Sequence, residues 1–461
     1  MGKSGPSYQD LILDLPVKLH HIKKLKIEQS LDNHAAAYIT GVLKEENHEA
    51  IHRLTSQTNI KIKAKTEEGE NIIFSGIPEK ATIKRAHDVY AIAIVLKSHS
   101  VRLDIQKKRR SFQNQNNPYG SLFKTILQEY EGDIWDAASR GAVQNGALIQ
   151  YEETDWEFLK RTASRVGAKL FPEIRSDRPR IYIGIPEGNR YDEKGMDYCL
   201  EKKLEDYLYS QENHGGWSEQ EILSYRLESM EDYQLGDKIT YQGITFTVAE
   251  KITELKKGIL AYQYRFQIKS GLKQNIRYNP KLKGVSVEGK VLAVEKDKVK
   301  LHLSIDSNQN PSDAAWYPFS TSYASEGTTG WYSMPQEGDS VRLYMPTADE
   351  SEAYVQALNR LDGEENPKVQ DPAVKYYGTS HGKEMKLAPK ELTFSAAENV
   401  LYLKMGHETG IEISSPQDIH IKTQKKLLGE CQTLEIESKE KILLATQSSG
   451  IIVDDIVHIK S

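Results

Sequence analysis

The sequence predicts a mainly β, multidomain α+β chain, and three observations carry that reading. Short apolar runs alternating with polar residues recur from residue 15 to about 360, set apart by turn residues. Only three stretches keep helical spacing. In the last seventy or so residues, apolar pairs at i, i+2 return at short intervals, the pattern of stacked short strands.

Residues 1–14 read as an N-terminal arm. Over 15–105, Lys61-Ile62-Lys63-Ala64-Lys65 alternates, and 72–78 and 90–96 are apolar runs bounded by polar turns. A helix is expected over 120–130, with Leu122, Phe123, Ile126, Leu127 and Tyr130 on one stripe. A second is expected over 155–166. There Thr154 and Glu157 have the spacing of a capping box, in which hydroxyl and carboxylate satisfy the free N–H groups at the helix start. Trp156, Leu159, Ala163 and Val166 share its apolar face, and Gly167 suits its end. A third helix over 196–209 would stack Leu200, Leu204 and Leu208. Strands then resume: Leu223, Tyr225 and Leu227 alternate, and Gly236-Asp237 and Gln242-Gly243 are turns flanking Ile239, Tyr241, Ile244, Phe246 and Val248. Residues 281–360 hold about five more strands, including one led by Gly338-Asp339 into Val341 and Leu343, which fits a small barrel of OB type.

Composition shifts after that barrel. Trp331 is the last tryptophan and Arg360 the last arginine, and 361–386, which opens with acidic residues, prolines and a glycine, reads as a linker. In the final domain, 387–461, the pairs are Leu392/Phe394, Leu401/Leu403, Ile411/Ile413, Ile419/Ile421, Leu434/Ile436, Ile442/Leu444, Ile451/Val453 and Val457/Ile459. From Ile411 to Ile442 the steps, with Leu427 between, are 8, 8, 7 and 8 residues. A short strand plus a turn makes such a period, and a helix cannot. Two inward residues per strand enclose too little in one chain, whereas three chains wound together enclose a core and pair every edge. The expectation is a trimeric β-helix or β-prism needle, with an antiparallel meander as the competing reading.

The 61 basic and 66 acidic residues leave a net charge of −5, which gives no electrostatic reason to expect nucleic acid or an anionic membrane as the main partner. Two cysteines, Cys199 and Cys431, exclude a disulfide framework. The first residues lack the apolar core of a secretory signal and the myristoylation pattern, so cytoplasmic assembly is expected, with any delivery outside the cell by another route.

Three stretches carry a family resemblance. Residues 100–114, SVRLDIQKKRRSFQN, are similar to a Leu-Asp…Arg-x-Phe-Gln element. Residues 148–167 are similar to a Gln-Tyr-x-Glu-x-Asp-x-x-Phe-Leu-x-Arg helix, here Gln150, Tyr151, Glu153, Asp155, Phe158, Leu159 and Arg161. Pro335-x-x-Gly338-Asp339-x-Val341 resembles the approach to the closing strands of an OB domain, although the family's Gly-x-Gly-Trp run is present only as Gly327-Thr328-Thr329-Gly330-Trp331. With the order of segments, the chain resembles the VgrG-type spikes of contractile injection systems and the hub–spike proteins of contractile phage tails. The resemblance implies two hub β-barrels with helices over 15–280, matching the tail tube and baseplate as a homotrimer, then the OB barrel and the needle. Its implied role is mechanical and non-enzymatic: a spike driven through a target cell envelope, carrying effectors. A conical PAAR-like tip protein would dock at the end of the needle, near Val457 and Ile459. No cofactor is implied.

One motif points elsewhere. His48-Glu49-Ala50-Ile51-His52 matches H-E-x-x-H, which on an α-helix sets two imidazoles on one face for zinc with the glutamate as base. A zinc peptidase is thus the enzymatic alternative, against polar residues on a short connector. Thr55 stands where the extended motif has glycine, and no third histidine follows. The run Lys107–Arg110 reads as a solvated or interface patch, and Trp316, Tyr317 and Phe319 as packing rather than base-stacking aromatics.

Overall fold

Alternation in the first hundred residues becomes a meander of long antiparallel strands, Leu19–Ser30, Ala36–Leu43, Ile60–Thr66, Gly69–Ala86 and Val89–Ser98. Ile60, Ile62 and Ala64 are buried while the lysines between them face outward, as the period of two requires. The computed structural model describes residues 6–44, 48–66, 69–87, 89–192, 197–213, 218–323, 329–358, 366–454 and 457–460. Met1–Asn359 and Arg360–Ser461 form two separate units.

The first unit holds a twelve-stranded sheet. The N-terminal meander, edged by Leu11–Leu13, continues through Leu19–Ser30 into Ile244–Lys256, Ile259–Ile268, Leu223–Ser229 and Tyr198–Lys202. The two β regions expected as separate barrels are therefore joined by one antiparallel seam, Lys26–Ser30 against Glu250–Glu254. One apolar cluster runs through both halves, from Leu25, Ile39 and Phe74 to Val248, Leu260 and Phe266. The Gln242-Gly243 turn has φ of 50° and 79°, the two left-handed residues of the hairpin turn its sequence signals. Gly236, at φ 88°, is doubly constrained, because an added Cβ would lie 2.5 Å from Pro186.

A helical layer follows the first meander. Helices Tyr119–Gln128 and Asp155–Ser164 enclose Leu122, Phe123, Trp156, Phe158 and Leu159. The third expected helix begins later than its leucine spacing suggested: Leu204–Asn213 is helical, but Tyr198–Lys202 is a strand on Leu223–Ser229. Tyr198 and Leu200 also satisfy a period of two, and pairing with an available strand edge, with Tyr198 against Tyr225, decides the ambiguity.

Strands Ser286–Glu295, Lys298–Leu303, Trp316–Pro318, Ser340–Tyr344 and Tyr354–Ala357 form the five-stranded sheet expected over 281–360. Its two outer strands meet through a parallel bridge of Phe319 and Val355, and Ser320 N donates to the Val355 carbonyl at 2.8 Å, so the sheet closes into a small barrel. Val287, Val299, Leu301, Tyr317, Leu343 and Val355 fill it.

In the second unit, strands Lys375–Gly378, Glu384–Ala388, Glu391–Ala397, Leu401–Gly406 and Gly410–Ser414 make an antiparallel meander that starts inside the stretch read as linker. Ile442–Ala445, Gly450–Val453 and Val457–Lys460 form a second one. Residues 415–441 carry no strand. Within one chain the tail is therefore not a coiled β-helix. Its connections are short, such as Pro389-Lys390 between paired Ala388 and Glu391, and they fold each strand back on its predecessor. No helix among the described residues is long and apolar enough to cross a membrane.

Candidate functional site

Two of the three stretches that carry the family resemblance, 100–114 and 148–167, converge on one buried junction. Strand Lys107–Phe112 pairs with Leu148–Thr154, which runs straight into helix Asp155–Ser164. The capping box forms as its sequence predicts: Glu157 N donates to Thr154 Oγ1 at 3.1 Å and Thr154 N to Glu157 Oε2 at 3.0 Å. The Thr154 hydroxyl also donates to Asp104 Oδ1 at 2.5 Å, and Asp104 Oδ2 lies 3.2 Å from His34 Nε2.

Asp155, fully buried, is the hub of a polar network. It accepts from Lys108 Nζ at 2.6 Å, Arg110 Nη2 at 2.7 Å, Tyr130 OH at 2.6 Å and Gln150 Nε2 at 2.9 Å. Burial opposes its charge, but the Lys108, Tyr130 and Gln150 hydrogen bonds outweigh that and hold its carboxyl below the usual range. The basic run read as a solvated or interface patch is thus half internal. Strand alternation turns Lys108 and Arg110 toward Asp155 and Glu129, and leaves Arg109 outside on Glu152 at 2.6 Å.

Arg161 performs the second join. Its Nε and Nη2 donate to the two Glu153 oxygens at 2.8 and 2.9 Å, Nη2 also to the Ile149 carbonyl at 2.9 Å, and Nη1 to Glu350 Oε1 at 2.5 Å. Glu350, on a 3-10 turn of the barrel, takes Arg165 Nη2 on its other oxygen at 2.8 Å. Burial disfavours the Arg161 charge, yet Glu350 and Glu153 hold its pKa above the ordinary arginine value. Further bonds tie strand Lys107–Phe112 and its extension to the barrel. Ser111 N and Oγ donate to the Asp306 carboxylate at 2.6 and 2.5 Å, and Gln113 Nε2 to the Leu301 carbonyl at 3.2 Å. Removing one partner from such a buried set costs about 3–5 kcal/mol because it strands a charge. The residues singled out as a family motif are therefore a clamp between helical layer and barrel. Glu350 and Asp306 were missed: one sits among acidic neighbours on a 3-10 turn and the other in a loop, and neither carries a local signal of its distant partner.

The metal alternative presumes an α-helix, whereas positions 48–53 form a 3-10 helix, and the side chain of His48 lies outside the described residues. Among the described residues no group of three or more His, Cys, Asp or Glu could hold a metal. Tyr317 is buried in the barrel and Phe319 packs on its core, as packing aromatics do.

The needle residues lie otherwise. In a single chain Ile411, Ile421 and Leu434 are 72%, 72% and 75% exposed, and Ile413, Ile419, Ile436 and Leu444 are also exposed. Ile442 is half-buried, while Ile451 and Val453 sit at the exposed edge of that range. Val457 and Ile459 pair in register with Val453 and Ile451, and their side chains fall outside the described residues.

The family model described as the Alg8 N-terminal domain matches residues 20–178. No curated protein matches the chain. Among solved structures, an E. coli protein, c3393, described as a component of the type VI secretion system with structural similarity to the T4 bacteriophage tail proteins gp27 and gp5, superposes with a TM-score of 0.53 at 12% identity, covering 75% of this chain and 98% of that one. The Francisella PdpA–VgrG complex gives 0.54 at 10% identity in its half-lidded form, covering 85% and 83%, and 0.55 at 9% in its lidded form, covering 85% and 76%. What is shared at such identities is the fold. It is a mostly β fold in this chain and in those structures.

Proposed function

We propose that this chain is a structural hub and spike subunit of a contractile injection particle, working as a homotrimer. In this reading residues 15–280 cap the tail tube and meet the baseplate, and the barrel over 281–360 belongs to the same hub end of the chain. Residues 387–461 of three chains wind into one needle that is driven through a target envelope. A PAAR-like tip protein docks near Val457 and Ile459, with effectors as cargo. The shared fold supports the class. The observation that carries the assembly is the tail itself: rows of isoleucine and leucine at a strand-and-turn period stay exposed in one chain, and 415–441 have no strand partner there. Isolated chains seldom present so much contiguous apolar surface, and copies of the same segment cover it with matching spacing.

Mass by light scattering tests this reading, with three times the 52.3 kDa chain mass expected. Zinc analysis on the same sample tests the peptidase alternative. A monomer with about one tightly held zinc per chain and chelator-sensitive cleavage would overturn the structural reading.

A further inference from the structure

The twelve-stranded sheet begins and ends with two features that fit each other. Beside its first strand, Leu11–Leu13, lies an open groove of ≈ 470 Å³. Leu11, Leu13 and Ile22 line its apolar part, and Lys18, His21 and Lys44 supply exposed basic groups. Next to its last strand, Tyr198–Lys202, stands the helix Leu204–Asn213. Leu204 and Leu208, spaced i, i+4, are 50% and 60% exposed, and Leu200 on the adjoining strand is exposed as well. The helix carries exposed Glu205 and Glu212 and no lysine or arginine. A ten-residue helix is marginal in water unless an apolar face is covered.

We infer that the helix Leu204–Asn213 of one copy docks into the Leu11–Ile22 groove of the next. The occupant is a second copy of this chain, on three grounds. An i, i+4 leucine pair is what a helix offers to an apolar groove. The acidic helix and the basic rim are of opposite sign, which favours this register over like-against-like contacts. The two patches are different surfaces of one chain, so the contact is head-to-tail, the kind that builds a ring of three where its rotation closes and not the self-complementary kind that stops at a dimer. The inference rests on the trimer reading and adds a hub contact to it, separate from the needle.

The test uses the full chain with Cys199→Ser and Cys431→Ser, carrying Glu205→Cys on the helix and Lys44→Cys on the groove rim. A short bismaleimide should then give covalent dimers and trimers on a denaturing gel. Either cysteine alone should give monomer, and adding Leu208→Asp should cut the yield at least tenfold. Light scattering on the same samples separates the two readings. A trimeric mass with monomer only after cross-linking overturns this contact and leaves the trimer standing. A single-chain mass overturns both.

Discussion

The two units use the same strand alternation and reach opposite outcomes. In Met1–Asn359, Ile60, Ile62, Ile92 and Ile94 are essentially inaccessible, because they share one apolar cluster with other side chains of the same chain. In Arg360–Ser461, Ile411 on the strand Gly410–Ser414 stays exposed, and so do Ile421 and Leu434, which share its sequence spacing without forming a strand in one chain. Alternation therefore fixes which face of a strand is apolar and says nothing about whose atoms cover it. The first unit buries its apolar rows within one chain, and the second leaves them exposed.

That contrast breaks most readily at the needle. Ile421→Asp with Ile436→Asp would set rings of like charge around one axis, at several kcal/mol per buried ion. The expected outcome is loss of the needle contact, with melting of the first unit unchanged. A needle that keeps its thermal stability would erase the distinction. Within the first unit, Glu350→Ala strands Arg161 and Arg165 and should cost about 3–5 kcal/mol, read as a lower denaturant midpoint that does not depend on protein concentration.

A pH scan sharpens the same point. His99 is buried with its Nε2 3.0 Å from Asn59 Oδ1, and burial, followed by the Arg102 charge, pushes its pKa down to about 4 from 6.5. A depressed folded value means the unfolded chain takes the proton first. Stability from the neutral ring is full above pH 6.5 and is lost as pH falls to about 4, on the order of 3 kcal/mol. His99→Gln should flatten that part of the urea-midpoint profile. The smallest effect is expected at Gly338, whose φ of 89° faces open space: Gly338→Ala should cost about 1–2 kcal/mol of backbone strain without a clash.

Local physics was legible and distant pairing was not. Thr154 and Glu157 announce a helix start because both partners lie within one turn, and Gln242-Gly243 announces a hairpin because the turn needs left-handed residues. The Arg161–Glu350 pair spans 189 residues and leaves no trace in either neighbourhood. Leu200 fits a helix through Leu204 and Leu208 as well as a strand through Tyr198, and the strand Leu223–Ser229 settles it from outside the segment. Likewise the pairs Leu392/Phe394, Leu401/Leu403 and Ile411/Ile413 marked strands, but the eight-residue steps from Ile411 to Ile442 did not, since 415–441 carry no strand in one chain, and the antiparallel pairing before them follows from turn lengths. The histidine motif's spacing presumes an α-helix, and the segment is a short 3-10 connector, which the sequence offered as the other reading.

Amide hydrogen exchange across 415–441 in the purified, concentrated protein tests the central claim most directly. If other copies complete the tail, these amides exchange as slowly as those of the Gly410–Ser414 strand, and dilution below the assembly threshold exposes them together. Exchange at the rate of a free chain, at concentrations where the particle mass is three chains, would contradict the account.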